Sequence, residues 1–197
     1  MSWYEELDRW TADYLPDMTY EHDVPLARHT SFRIGGPARR MAFPKDGSQM
    51  VLLIGEALAC GAAPLVIGNG TNLLFPDEGV ERLVVNTRDM SGMALDAAGR
   101  VTAEAGASLA RTAVFAQQHG LTGLEFAHGI PGSVGGAVCM NAGAYGGEMR
   151  QVVRSAVVLF PDEGVKTMRG EELAFSYRHS LLTDRPDAVV LRAVFTL

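Results

Sequence analysis

The chain is poor in cysteine, in positive charge and in long apolar runs, and each shortage removes a class of protein. Among 197 residues only Cys60 and Cys139 carry thiols, far apart and without a histidine or second cysteine at ligand spacing, so no metal site is expected. They read as buried free thiols of a reducing cytosol, and the expected location is cytoplasmic. The longest apolar stretch, Met50 to Gly68, is interrupted by Gly55, Glu56, Gly61 and Pro64 and is no membrane span. The N-terminus, MSWYEELDRW, is acidic and lacks the apolar centre of a secretion signal. With 17 Lys and Arg against 23 Asp and Glu, a net charge of −6 disfavours a nucleic-acid partner. It leaves room for a small anion held by backbone amides. An apolar fraction of 47% at this length supports a soluble globular chain with a real core.

Ser2 and Glu5 form a capping-box pattern ahead of Trp3, Leu7, Trp10 and Tyr14, predicting a first helix that ends before Pro16. A second helix is expected from Ser48 to Cys60, with Val51, Leu52, Ile54 and Leu58 inward and Gly61 ending it. A third runs from a Ser108 cap to His119 and Gly120. Strands are expected at Arg39–Phe43, in PLVIG, and at Leu83–Val85, Ala94–Asp96 and Val101–Ala105. Others follow at Val152–Phe160, Val165–Met168 and Val189–Thr196, with PDEG turning the first pair. The mixture implies an α+β fold in two lobes that divide near Val85 to Arg88.

Glycine is plentiful, with 22 residues, and seven of them fall within the twenty residues GIPGSVGGAVCMNAGAYGGE, from Gly129 to Glu148. Two further polar loops carry glycine: TSFRIGG, Thr30 to Gly36, and IGNGTNLL, Ile67 to Leu74. Successive amides in such turns form a concave nest for phosphate oxygens; an ordinary tight turn would use the same residues. No Gly-Lys-Ser/Thr follows, which excludes a P-loop, and GNGTNL lacks the third glycine of a dinucleotide-binding βαβ fingerprint. Ser133 can cap a short helix through Met140, turning free amides toward an anion, while Gly135, Gly136 and Ala137 would admit a flat ring. Close packing of that helix on strands would select the same glycines. Three such loops in one chain favour a dinucleotide-sized ligand.

The strings HTSFRIGGPA, VIGNGTNLLF, GLTGLEFAHGIPGSVGGAVCMNAGAYGGE and FSYRHSLL, in that order, resemble those of the UDP-N-acetylenolpyruvoylglucosamine reductases, flavoenzymes of peptidoglycan synthesis. The resemblance leaves the first helix as an N-terminal extension. It implies two FAD-binding subdomains of the vanillyl-alcohol-oxidase type, residues 1–85 and 86–197, with FAD held between them. NADPH would be the reductant and UDP-N-acetylglucosamine enolpyruvate the substrate. Carried over by position, Gly68, Asn69, Gly70, Thr71 and Asn72, preceded by Ile67, would cradle the pyrophosphate. Thr30, Ser31, Ile34, Gly35 and Gly36 would add contacts. His128, Gly129, Ile130, Pro131, Gly132 and Ser133, with Gly135, Gly136, Ala142 and Gly143, would line the rest of the cofactor, and Val190 would pack against it.

The catalytic residue implied is Arg178 of SYRHS, whose permanently charged, planar guanidinium suits an enol-like carboxylate. Without the resemblance, Arg178 reads as a surface salt-bridge arginine. Tyr145 and Tyr177 are expected on the substrate side. Ser180 has a positioning role, and Glu125 and Glu148 are expected to bond loop amides. The resemblance also implies a proton-donating serine in a Gly-Ser-x-Phe motif, carried by a third domain. No such string occurs in the sequence. The expectation is therefore an FAD-binding portion that is inactive alone; the alternative is a naturally short FAD-binding module without reductase chemistry.

Overall fold

In the computed structural model, which describes residues 2–197, the chain divides after Asp89 into two compact units. The division falls a few residues past Val85, since a short turn, Thr87–Asp89, completes the first unit.

The first unit runs α1 (Trp3–Tyr14), β1 (Thr19–Pro25), β2 (Pro37–Phe43), α2 (Gly47–Ala59), β3 (Leu65–Ile67) and β4 (Val80–Asn86). Its sheet has the order β1-β2-β4-β3; β1 is antiparallel to β2, while β2, β4 and β3 are mutually parallel. The parallel strands read as near-continuous apolar runs because they are covered, and Met41, Phe43, Leu83 and Val84 are fully buried. In α1, the Glu5 carboxylate accepts from the Ser2 amide at 2.9 Å, closing the helix start. The helix buries Leu7 and Thr11, and Asp8 grips the Arg40 guanidinium of β2 with two bonds of 2.6 Å.

Asp46 caps α2 by accepting from the Gln49 amide at 2.9 Å, and Gly61, at φ +80°, lies just past its end. The inward face is Met50, Leu53, Ile54 and Ala57, whereas Leu52 and Leu58 are 52% and 44% exposed. The expected face is thus rotated by about one residue's turn of helix. Met50 to Ile54 is apolar at every position, so periodicity does not fix the phase there. The polar edge strand β1, TYEHDVP, escapes the sequence reading because only Val24 is buried in it.

The second unit contains β5 (Met93–Leu95), β6 (Arg100–Glu104), α3 (Leu109–Gln118), α4 (Val134–Cys139), β7 (Gly143–Ala144) and β8 (Gly147–Glu148). It closes with β9 (Val153–Phe160), β10 (Gly164–Arg169) and β11 (Val189–Thr196). Five strands form an antiparallel sheet in the order β10-β9-β11-β6-β5. Ser108 caps α3, and Gly120 follows it at φ +72°. The core joins Val101, Leu109, Leu124, Met149 and Phe195, and α4 packs against β6 and β11.

Among the described residues, no helix is long and apolar enough to cross a membrane, and no cluster of His, Cys, Asp or Glu could hold a metal. Both cysteines are free and only partly buried, less enclosed than expected.

Candidate functional site

In the first unit, β3 ends at Ile67 and β4 at Asn86, and the residues that follow line a cleft of about 570 Å³. Ligand sites in open α/β sheets form outside the carboxyl ends of parallel strands, which is where this cleft lies. Gly68 and Asn69 form one wall, Asn86 and Arg88 another, and Arg28, His29, Thr30, Ser31 and Arg33 the third. Three arginines therefore line one cleft in a chain of net charge −6. The Arg88 guanidinium stacks 3.9 Å above the Phe43 ring at the end of β2, and the Arg88 amide donates to the buried Asn86 Oδ1 at 2.9 Å. Burial, with Arg88 and Arg28 nearby, pushes the His29 imidazole below its ordinary range, against a smaller opposing pull from Glu21.

The two glycine loops of this unit are stitched together. The Ser31 amide donates to the Gly70 carbonyl at 3.1 Å, and Ser31 Oγ to the Thr71 carbonyl at 3.3 Å. Gly70 sits at φ +62°, and a Cβ there would collide with the His29 carbonyl oxygen, so the close approach excludes any side chain. Among the described residues, the amides of Asn69 and Gly70 meet no carbonyl of the chain and remain as donors. Thr30, Ser31, Gly68 and Asn69 are thus brought to one cleft. Ile67 is buried in the core beneath it, and Thr30 Oγ1 donates to the Ile34 carbonyl at 3.3 Å. Gly35 and Gly36 pack against Phe75 and Asp77 instead of lining the cleft, and Ile34 is half exposed.

In the second unit, the expectation of free amides at the start of α4 is overturned. The Val134 amide donates to Ala107 at 2.9 Å, that of Gly135 to Ala105 at 2.8 Å, and that of Gly136 to Ser133 Oγ at 3.5 Å. The helix start is therefore spent on anchoring α4 to the sheet and has no donor left for an anion. Gly135 has a packing reason, because a Cβ would come within 3.0 Å of Ala105 Cβ; Gly136 is exposed, with room around it. His128 and Gly129 are exposed, and Pro131 and Gly132 lie in the same surface turn. Ile130 and Ser133 turn inward, and Ala142 and Val190 are buried in the apolar core. Val190 therefore packs on protein neighbours.

Gly143 belongs to the β7–β8 hairpin, whose loop residues Tyr145 and Gly146 have φ of +52° and +82°. These are type I′ values, and they leave the Tyr145 ring 96% exposed, within 3.9 Å of where a Gly129 Cβ would stand.

Arg178 lies on a second tight turn. The Ser176 amide donates to His179 at 2.9 Å and the His179 amide to Ser176 at 3.2 Å, which leaves Tyr177 and Arg178 at the apex. Tyr177 is 89% exposed. Arg178 is exposed at φ +54°, a strained value for a residue with a side chain, and makes no ion pair among the described residues. Buried groups hold the turn from below. Ser180 Oγ donates to the Cys139 carbonyl at 2.6 Å, and Asn141 Nδ2 donates to both the Ser176 carbonyl (2.8 Å) and Glu148 (2.7 Å). Asn141 Oδ1 also accepts from the Arg150 amide at 3.0 Å. This network ties the SYRHS turn to the glycine-rich segment. Glu125 accepts from the Gly123 amide at 2.8 Å and, like Glu148, has a structural task.

The model of one family matches residues 38–169, and its description is FAD binding domain. The chain belongs to the FAD binding domain family. Within that family it is similar to the UDP-N-acetylenolpyruvoylglucosamine reductase of Lactobacillus delbrueckii subsp. bulgaricus, 46% identical over 177 residues. The match covers 90% of this chain and 59% of that protein. The crystal structure of UDP-N-acetylenolpyruvylglucosamine reductase from Thermus caldophilus superposes with a TM-score of 0.76 at 34% identity, covering 91% of this chain and 62% of that one. The glucooligosaccharide oxidase of Acremonium strictum shares the fold at a TM-score of 0.69 and 17% identity, covering 97% of this chain and 42% of that one. The FAD-binding domain thus spans about 60% of the length of the reductases it matches.

Sequence reasoning missed Arg28, His29, Arg88 and Asn141 as site residues. Arg28 and His29 lie about sixty residues from Arg88; the parallel pairing of β3 with β4 and the Ser31–Gly70 bond bring their segments together. Asn141 had a local signal in NAGAYGGE: Asn tolerates the left-handed backbone it adopts, at φ +44°.

Proposed function

We propose that this FAD-binding domain is the cofactor-holding portion of a UDP-N-acetylenolpyruvoylglucosamine reductase. Its cofactor would be FAD, its reductant NADPH, and its substrate UDP-N-acetylglucosamine enolpyruvate, in cytoplasmic synthesis of peptidoglycan precursors. The observation that carries the reading is the arginine-lined cleft at the carboxyl ends of β3 and β4, beside a loop in which the amides of Asn69 and Gly70 meet no carbonyl among the described residues. A dinucleotide's diphosphate fits that donor set, since amides without side chains and fixed guanidinium groups are what phosphate oxygens need. The bare glycine at position 70 lets the His29–Thr30 backbone close against this loop.

When bound, FAD supplies hydride chemistry between a nicotinamide and an electron-poor double bond. The chain's own residues orient and polarise. Thr30, Ser31, Gly68 and Asn69 hold the cofactor's phosphate end, with Thr71 and Asn72 continuing the loop. In the second unit, Gly129 and Gly136 are exposed and present no side chain to a flat group. Arg178 presents a charged fork able to hold a carboxylate as negative charge grows on it, and its anchorage through Ser180 and Asn141 limits the reorganisation this requires. Tyr145 and Tyr177, both exposed, are assigned to the substrate side. The proton donor is assigned to the part of the reductases that this chain does not match.

The test is reconstitution. The purified chain should bind FAD stoichiometrically, with flavin absorbance and quenched flavin fluorescence, and should show no NADPH-dependent reduction of the enolpyruvyl substrate. Failure to bind FAD under any condition would remove the reading, and robust substrate turnover would contradict the assignment of the proton donor.

A further inference from the structure

We infer that His29 is a proton-accepting contact for the diphosphate of the bound dinucleotide, so that binding takes up a proton and weakens as pH rises; this rests on the FAD reading above.

Of the five histidines, three have polar partners. His22 lies 3.6 Å from Asp8, His119 Nδ1 lies 2.8 Å from the Phe115 carbonyl, and His179 Nε2 lies 3.0 Å from Asp184. His128 is exposed to water. His29 alone is half-buried with an imidazole that has no hydrogen bond or ion pair among the described residues. Its ring leans on Phe43 at 5.8 Å between centroids, sharing that platform with the Arg88 guanidinium.

Every element packed around the ring contributes to its electrostatics. Arg88 follows β4, Arg28 precedes His29 in its own turn, and Glu21 lies on β1. Arg33 and Asn69 line the same cleft. Burial and the neighbouring cations disfavour the imidazolium, and Glu21 does not offset them. A diphosphate reverses the balance, because it brings negative charge into the cavity that the ring faces. The protonated ring can then donate to a phosphate oxygen, and its charge joins those of the three arginines.

The sign follows from linkage. A group that gains a proton on complex formation makes affinity fall with rising pH, by at most about tenfold per pH unit for one proton. The phosphodiesters of FAD do not titrate near neutrality, so such a slope would belong to the protein.

The experiment measures FAD affinity of the whole chain between about pH 6 and about pH 8, where histidine changes charge. Calorimetry in buffers of different ionisation enthalpy counts the protons taken up. ADP-ribose serves as a second probe, carrying the same diphosphate diester without the flavin. The expected result is uptake of up to one proton, with affinity for both ligands declining as pH rises. His29→Gln should bind with a flat profile. Arg88→Gln should weaken binding and retain proton uptake, with the pH window of the slope moved upward because a cation that disfavours the imidazolium is gone. A pH-independent wild-type affinity, or a slope that survives in His29→Gln, would overturn the inference. If FAD fails to bind but ADP-ribose binds with proton uptake, the flavin reading falls and the role of His29 stands; if neither ligand binds, both fall.

Discussion

Gly70→Ala tests the loop geometry on which cofactor binding is argued. At φ +62° an alanine pays about 1 kcal/mol for the left-handed backbone. Its Cβ would also strike the His29 carbonyl oxygen, and backbone cannot swing aside as a side-chain tip can. Relief requires the two loops to part, which breaks the 3.1 Å bond from the Ser31 amide to the Gly70 carbonyl and costs about 1 kcal/mol more. A total of about 2–3 kcal/mol lowers the melting temperature of a chain this size by about 5–10 °C. If binding requires the original loop, FAD affinity falls by about 30- to 100-fold. Two other glycines calibrate the result. Gly61, at φ +80°, has no atom within 4 Å of an added Cβ, so Gly61→Ala should cost only about 1 kcal/mol and leave FAD affinity unchanged. Gly55 lies inside α2 with equally open surroundings, and Gly55→Ala should stabilise by about 0.5–1 kcal/mol. Thermal unfolding and FAD titration by fluorescence quenching read all three. A Gly70→Ala protein matching Gly61→Ala in both assays would refute the seam between the loops.

Other predictions follow from the charge pairs and turns. Asp8→Asn leaves the Arg40 side chain, only 8% exposed, without its carboxylate and should destabilise by about 3 kcal/mol in urea unfolding. Burial pushes the Asp8 carboxyl toward a higher pKa, but the Arg40 bonds outweigh it and hold the carboxyl below its usual range. The pair's stability is therefore present above about pH 4, the unfolded value, and lost as pH falls through the folded one; Asp8→Asn should remove that acid-dependent increment. Ser180→Ala removes the 2.6 Å bond to Cys139 and should lower stability by about 1–2 kcal/mol. Arg178→Gly relieves the backbone at φ +54° and should stabilise by about 0.5–1 kcal/mol with FAD affinity unchanged, as read by thermal unfolding and titration.

Local signals in the sequence were legible where local chemistry decides the outcome. Ser108 and Ser133 cap the helices that follow them, and the PDEG turn ends in Gly164 at φ +79°. Two α+β units and a family resemblance could likewise be read from patterns contained in short stretches. What escaped depends on partners distant in sequence. The inward face of α2 is chosen by packing, since five consecutive apolar residues offer no phase. The amides at the start of α4 looked available, but the carbonyls of Ala105 and Ala107, in the turn after β6, consume them, and nothing near Ser133 announces those partners. The cleft's cations are a product of topology: Arg28 and Arg88 are about sixty residues apart, and the β3–β4 pairing together with the Ser31–Gly70 bond brings their segments to one rim.

The backbone at Arg178 also has a genetic meaning. Every arginine codon lies one base change from a glycine codon, and glycine is the residue this left-handed turn would accept without strain. Drift toward comfort is therefore one mutation away. A lineage that no longer needed the guanidinium would have little to hold arginine there, so position 178 serves as a gauge of whether the turn is still selected for its charge.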